Sequence, residues 1–124
     1  MRIILALILI GHGFAHLSGF FLSWRIATLK DTPYKTTIFA KSLNIGDLGI
    51  RVVGILWLFA ALAFPVSAVA VLTQAHWWLF STRIVTAFSF LLCVIEWPEA
   101  RIGAFVNLAI AALLLAGRHM NWFG

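Results

Sequence analysis

Charged residues are scarce in this sequence of 124 residues, and most of the remainder is apolar. Only 10% of the residues are Asp, Glu, Lys or Arg, whereas 63% are hydrophobic and the mean hydropathy is +1.03. Soluble domains carry about 25% charged residues, so this composition predicts an integral membrane protein. Because one helical crossing of a bilayer takes about 20 residues, the chain has room for about four crossings and for no separate soluble domain.

The sequence also lacks the motifs of several large enzyme classes. Its single cysteine, Cys93, excludes an internal disulfide and a paired CxxC redox centre. No Walker loop, GxGxxG or GxSxG pattern occurs, so the chemistry of ATPases, dinucleotide enzymes and lipase-type hydrolases is missing. The net charge is +5, but the cations are spread between apolar segments instead of lying along one stripe. We therefore expect no nucleic-acid partner, and we expect contact with anionic membrane lipid instead.

Four apolar segments account for most of the chain. They predict transmembrane helices at about residues 3–22, 47–72, 77–97 and 101–117, within a single domain that covers residues 1–124. The last two connections are so short that the helices they join must be antiparallel neighbours. The predicted fold is therefore all-α, a polytopic membrane protein with four transmembrane helices in an antiparallel bundle.

The connection over residues 23–46 is longer than the others and more polar. Within it, Thr32 is a suitable N-cap for a helix that begins at Pro33, and Tyr34 and Ile38 would lie on its apolar side. This pattern predicts a short amphipathic helix on the membrane surface, with an ordinary polar loop as the alternative.

The distribution of Lys and Arg predicts an orientation in the membrane. More of them lie near the first and third connections than near the other end of the predicted bundle. The positive-inside rule then places the first loop in the cytoplasm and both termini outside, in a bacterial-type cell membrane.

Polar residues inside the predicted spans recur at helical spacing. In the third span Thr82, Thr86, Ser89, Cys93 and Glu96 are separated by 4, 3, 4 and 3 residues, so they share one face. The other three spans each carry a comparable face with small or polar residues. Lipid cannot satisfy polar groups, so these faces should turn toward one another in the bundle interior.

One set of polar residues falls in the same half of the predicted bundle, because adjacent spans run in opposite directions. This candidate site for a ligand or for proton handling consists of His12, His16, Asp47, Arg51, Glu96 and Asn107. Arg83 enters from the opposite half. The i,i+4 spacing of Asp47 and Arg51 also predicts a salt bridge at the start of the second span.

The two histidines of the first span admit three interpretations. His12 and His16, four residues apart, can hold one metal ion if Asp47 or Glu96 adds further ligands. They can instead bind a small ligand or handle protons, or they can simply hydrogen-bond neighbouring helices. A haem held by both histidines is disfavoured, because axial ligands approach opposite faces of the iron and normally come from two helices.

The stretch GFAHL in the first span, the stretch IRVVGILWLFAALAF in the second and a Gly/Ala-rich fourth span resemble the DoxX-like group of small four-helix membrane proteins. The resemblance implies a four-span bundle and an association with membrane redox or quinone-linked systems. Members often carry a basic residue where His16 stands. The length and the span count are also similar to those of small multidrug exporters, although the first-span glutamate of those proteins is absent here.

The leading functional hypothesis is a non-enzymatic or accessory membrane protein whose interior polar site binds a small ligand or headgroup, or handles protons. One alternative is an oligomeric small-molecule transporter, which would need a homodimer because four short helices are few for a pathway. Another is a membrane oxidoreductase component that uses the histidines with a quinone, a metal or a haem. A space-filling subunit of a larger membrane complex is the purely structural alternative.

Overall fold

The structure, a computed structural model, describes residues 1–26 and 33–123. Its four helices are α1 (Arg2–Ser23), α2 (Gly46–Thr73), α3 (Trp78–Ile95) and α4 (Arg101–His119). Each is long and apolar enough to cross a membrane, and each begins and ends within two residues of a predicted span. The predicted four-helix membrane fold is confirmed, and α2 continues past Pro65 without a break.

The outer faces of the helices are covered by large apolar side chains. The exposed fraction is 74% for Phe14, 70% for Phe80 and 73% for Ile102, and each of these residues lies within a helix. Continuous exposed apolar surface of this extent is unfavourable in water but matches the hydrocarbon of a bilayer. The chain is therefore a small multi-pass membrane protein.

Packing between the helices follows chain order. α1 lies against α2 along its length, α2 packs on α3 and α3 on α4, whereas α1 and α4 hardly touch. The close approach of α1 to α2 depends on glycines, since a Cβ on Gly13 would lie 2.7 Å from Cβ of Phe64 and one on Gly19 would lie 2.7 Å from the Trp57 ring. The bundle therefore closes tightly on three sides and is open between α1 and α4.

The first connection contains a β-hairpin where the sequence predicted a helix. Strands β1 (Thr37–Ile38) and β2 (Leu43–Asn44) pair antiparallel, so the predicted amphipathic helix is wrong for residues 33–45, while its N-cap, Thr32, lies outside the described residues. Oδ1 of Asn44 accepts hydrogen bonds from Oγ1 of Thr36 at 2.9 Å and from N of Gly46 at 3.0 Å. Such side-chain bonds, with β-branched residues in the strand, favour a turn over a helix.

The hairpin is held by the connection between α3 and α4. The backbone N–H of Phe39 donates to the Ile95 carbonyl at 2.8 Å, and that of Ala40 donates to the Trp97 carbonyl at 3.0 Å. The hairpin, the start of α2 and the end of α3 therefore lie at one end of the bundle, which we call the hairpin end. The start of α3 and the end of α4 lie at the opposite end.

Candidate functional site

The polar face of α3 is buried as predicted. Thr82 and Ser89 are 0% exposed, Thr86 is 5% exposed and Cys93 is 0% exposed. Asn107 of α4, at 1%, and the two histidines of α1, His12 at 7% and His16 at 2%, are equally enclosed. A buried polar face therefore runs along α3, and buried polar residues of α1 and α4 join it.

Four of these side chains form a closed hydrogen-bonded ring, which we call the histidine ring: His12, His16, Ser89 and Asn107. Nε2 of His12 lies 3.0 Å from Oδ1 of Asn107, and Nδ2 of Asn107 lies 2.9 Å from Oγ of Ser89. Nε2 of His16 lies 2.6 Å from the same Ser89 oxygen, and Nδ1 of His16 lies 2.7 Å from the His12 carbonyl. A weaker contact joins Asn107 to Sγ of Cys93 at 3.7 Å. The ring links three helices.

The directions of these bonds follow from which atoms can donate. The His12 carbonyl only accepts, so His16 donates from Nδ1, and its Nε2 is left to accept the Ser89 hydroxyl proton. Asn107 donates to Ser89 and accepts from Nε2 of His12. Every bond is then satisfied with both imidazoles neutral. Nδ1 of His12 is left as an acceptor with no hydrogen-bond partner in the described residues.

Aromatic rings enclose the histidines on the side of α2. The His16 ring lies 4.8 Å from the Trp57 ring, and both histidine rings lie close to Phe64, at 4.9 Å for His12 and 5.2 Å for His16. The two imidazoles meet edge to face with 4.5 Å between their centres. This packing fixes the ring orientations and excludes water from the α2 side of the site.

A cavity of about 310 Å³ lies between α1 and α4 and reaches the histidine ring; we call it the α1–α4 cavity. His12 and Ser23 both line it and are 11 residues apart on α1, so it extends about 16 Å along that helix. Ala15, Ser18 and Ile102 also line it and are exposed on the helix surfaces. The cavity therefore opens sideways, toward the lipid.

The outer end of the cavity is charged. Nζ of Lys35, from the first connection, lies 2.7 Å from Oε2 of Glu99 and 3.9 Å from Oε2 of Glu96. Burial, together with repulsion from Glu99, raises the pKa of Glu96 against the opposing attraction of Lys35. Burial acts in the same direction on Glu99, but the hydrogen bond and charge of Lys35 outweigh it and lower the pKa of that carboxyl. The pKa of Glu96 therefore lies above the ordinary value for glutamate, and the pKa of Glu99 lies below it.

These shifts predict opposite effects of pH on two variants. The folded protein binds a proton on Glu96 more tightly than the unfolded chain, whose value is near 4.5, so Glu96 destabilises the fold as the pH rises through its raised pKa. We expect Glu96→Gln to gain thermal stability over wild type as the pH rises through that window. Glu99 stabilises above 4.5 and loses this effect as the pH falls through its lowered pKa, so Glu99→Gln should be the less stable variant near neutral pH.

Melting curves in lipid nanodiscs, recorded from about pH 4 to pH 8, measure both differences against wild type. Glu99→Gln is the matched control, because it removes the same charge from the same ion-paired cluster. Curves for Glu96→Gln that run parallel to wild type at every pH would contradict the assigned environment of Glu96.

Two residues of the predicted site lie away from the histidines. Asp47 is paired with Arg25 at 3.1 Å and accepts a hydrogen bond from Tyr34, and both partners of the Arg25 ion pair are more than 60% exposed. Arg51 is exposed and lies over the Trp24 ring at 5.4 Å. The predicted Asp47–Arg51 salt bridge is therefore wrong. Asp47 and Arg51 lie near the start of α2, where their side chains are exposed, so a pairing one turn apart is not enforced by burial. Arg25, which follows α1, pairs with Asp47 instead.

Metal binding was one of the three interpretations of His12 and His16 from the sequence. Across residues 1–26 and 33–123, no group of three or more His, Cys, Asp and Glu side chains is arranged to hold a metal. Both nitrogens of His16 are already used in hydrogen bonds, and only one nitrogen of His12 is free in the described chain. This donor set does not fit a structural or catalytic metal site, which needs three or four ligands.

Sequence reasoning missed four residues of the site. Ser89 was predicted to lie on the polar face of the third span but not to link His16 with Asn107. The depth of these three residues in their spans is the sequence signal that indicates this link. Trp57 is enclosed among apolar neighbours and carries no sequence signal of its own. Lys35 and Glu99 come together through the hairpin, which is a tertiary contact that spacing along the chain does not reveal.

No protein-family model, no curated protein and no solved structure matches this chain. The resemblance to the DoxX-like group therefore stays a prediction.

Proposed function

We propose that this membrane protein is an accessory ligand-binding protein that takes a small amphiphile from the bilayer into the α1–α4 cavity. The ligand's polar group carries a hydrogen-bond donor, such as a hydroxyl, and faces His12. Its apolar part lies along the cavity between α1 and α4. The lateral opening at Ala15, Ser18 and Ile102 supports entry from lipid.

One observation carries this proposal: the free Nδ1 of His12. Every other nitrogen and oxygen of the histidine ring's side chains has a partner, whereas this acceptor has none in the described residues and belongs to a side chain that lines the cavity. The hydrocarbon of a bilayer supplies no hydrogen-bond donor to an acceptor at the cavity wall, so a donor on the ligand completes the hydrogen bonding of His12. A hydroxyl is therefore preferred over a group that can only accept.

Of the two histidines, His12 is the one that can accept a proton without loss of an existing hydrogen bond. A proton added to Nδ1 of His12 leaves its Nε2–H···Asn107 bond intact, whereas a second proton on His16 would displace the Ser89 hydroxyl proton. A ligand that releases a proton from its hydroxyl would deliver it to His12. Reduced quinones belong to this chemical class, which keeps the quinone-linked alternative within the proposal; the oligomeric transporter and the subunit of a larger complex stay predictions.

The test uses a pair of probes that differ only in the donor. 4-Hexylphenol carries a hydroxyl and an alkyl tail, and 4-hexylanisole is the same molecule with the hydroxyl methylated. We expect the phenol to bind wild-type protein in nanodiscs about tenfold more tightly than the ether, the ratio that one hydrogen bond of about 1.4 kcal/mol supplies. Scintillation proximity binding of labelled phenol, with the ether as competitor, measures the ratio.

Two tryptophan variants separate the cavity from the general membrane surface. Ala15 lines the cavity and Ala112 of α4 does not, although both are exposed on their helices. Ala15→Trp should reduce phenol binding at least about tenfold by filling the space, while Ala112→Trp should bind as wild type does. Equal binding of phenol and ether, or equal binding to the two variants, would overturn the proposal.

A further inference from the structure

Arg83 lies within a membrane-spanning helix, α3, at the end of the bundle opposite the hairpin. It is the sixth residue of α3, about 7.5 Å from the start of that helix, and it is exposed. A side chain on a helix leans toward the N-terminus, so Arg83 points toward the nearer membrane surface. Its guanidinium can therefore reach headgroup level while its stem lies against the helices.

No carboxylate in the described residues pairs with Arg83. Asp47, Glu96 and Glu99 all lie at the hairpin end, whereas Arg83 lies near the opposite end of the bundle. The described chain places further basic residues at that opposite end: Arg2 at the start of α1 and Arg118 near the end of α4. An arginine at the edge of the hydrocarbon needs a counter-ion, and among the described residues the charged side chains at this end are all basic.

A groove of about 330 Å³ runs beside Arg83 between α3 and α4. Beyond the arginine its walls are largely apolar, with Phe90 on α3 and Leu108 and Leu115 on α4. The space extends along the helices for about 10 Å, since Arg83 and Phe90, which both line it, are seven residues apart on α3. Its polar end and apolar walls match an acyl chain that hangs from a charged head.

Thr86, one turn below Arg83, supplies the second observation. It lines the groove, it is 5% exposed, and its Oγ1 has no hydrogen-bond partner in the described chain. Thr82 is one turn nearer the start of α3 than Thr86. It instead donates to the Trp78 carbonyl at 2.7 Å, which is the usual arrangement for a buried helical threonine. Thr86 therefore holds an unpartnered hydroxyl beside the groove, and rotation of its side chain brings that donor to a ligand carbonyl at this level.

We propose that the groove between α3 and α4 is a binding site for one anionic phospholipid. The phosphate pairs with the guanidinium of Arg83, an ester carbonyl below it accepts the hydroxyl proton of Thr86, and an acyl chain lies along Phe90, Leu108 and Leu115. This groove lies between α3 and α4, whereas the ligand cavity lies between α1 and α4. Asn107 of the histidine ring also lines the groove, but the lipid site does not use the free Nδ1 of His12.

Native mass spectrometry of the whole protein tests the site with two lipids that share their acyl chains. Wild-type protein should retain one phosphatidylglycerol at detergent concentrations that remove phosphatidylcholine. Arg83→Gln should weaken that retention about tenfold, and Thr86→Val, which keeps the shape and removes the hydroxyl, should weaken it several-fold. Arg118→Gln is the matched control, because it removes a charge from the same end outside the groove and should retain the lipid.

Three results would overturn the proposal. Equal loss of lipid in Arg83→Gln and Arg118→Gln would mean general attraction to a basic end. Displacement of the lipid by inorganic phosphate alone would mean an anion site without an acyl groove. A wild-type protein that is a dimer, together with an Arg83→Gln variant that is a monomer and keeps its lipid, would mean that a second copy of the chain occupies the groove.

Discussion

Replacing Asn107 with leucine should lower the free energy of unfolding by about 3–5 kcal/mol. Asn107 joins His12 to Ser89 and also contacts Cys93, so the substitution removes three contacts at once. Hydrogen bonds between membrane helices contribute about 0.6 kcal/mol each on average, which accounts for about 2 kcal/mol. The Nε2–H of His12 is then buried without an acceptor, which adds about 1–3 kcal/mol.

Ser67→Ala is the matched control for Asn107→Leu. Oγ of Ser67 lies 2.8 Å from Oγ of Ser81, so this pair also joins two helices, but it stands apart from the histidine ring. Its removal should lower the free energy of unfolding by only about 0.6 kcal/mol. Steric-trapping or chemical unfolding in bicelles measures both variants. If Asn107→Leu is no less stable than Ser67→Ala, the ring does not act as the structural link between α1, α3 and α4.

The ring and the helices differ in how far the sequence predicts them. The four helices follow from apolar runs of the length of a bilayer, and the buried face of α3 follows from the spacing of Thr82, Thr86, Ser89 and Cys93. Both are local properties, because a helix presents residues three and four apart on one face whatever lies opposite. The polar face of α3 could therefore be predicted without knowledge of its partners.

The partners of these faces depend on tertiary contacts. Asp47 was expected to meet Arg51 because they are one turn apart, yet it pairs with Arg25 of the preceding connection. The hairpin likewise depends on backbone bonds from Phe39 and Ala40 to the distant α3–α4 connection. Exposed charges and short segments have weak local preferences, so long-range contacts decide their conformation.

The position of the cavity depends on an asymmetry among the helix pairs. Glycines let α1 approach α2 closely, and the consequence is that α1 leans on α2 and leaves a space toward α4. A small residue can be read from the sequence as a contact point, but the choice of neighbour among three helices cannot. The contact that brings α1 close to α2 therefore also leaves the α1–α4 side of the bundle open.

Gly13→Ala tests this dependence of the cavity on the contact between α1 and α2. A Cβ at Gly13 would lie 2.7 Å from Cβ of Phe64 and 3.1 Å from the Ala61 carbonyl oxygen, and both are on the rigid backbone or next to it. The helices must therefore separate. We expect a loss of about 1–3 kcal/mol in the free energy of unfolding, the usual range for overpacking a close contact.

Gly11→Ala provides the matched control, since a Cβ on Gly11 meets nothing within 4 Å. Alanine favours a helix over glycine by about 1 kcal/mol, so this variant should be as stable as wild type or more so. Because Phe64 also packs on both histidine rings, displacing it in Gly13→Ala should weaken phenol binding in the α1–α4 cavity, whereas Gly11→Ala should leave binding unchanged. Equal stability of the two alanine variants would show that α1 tolerates a wider separation from α2, and the shape of the cavity would then have to depend on other contacts.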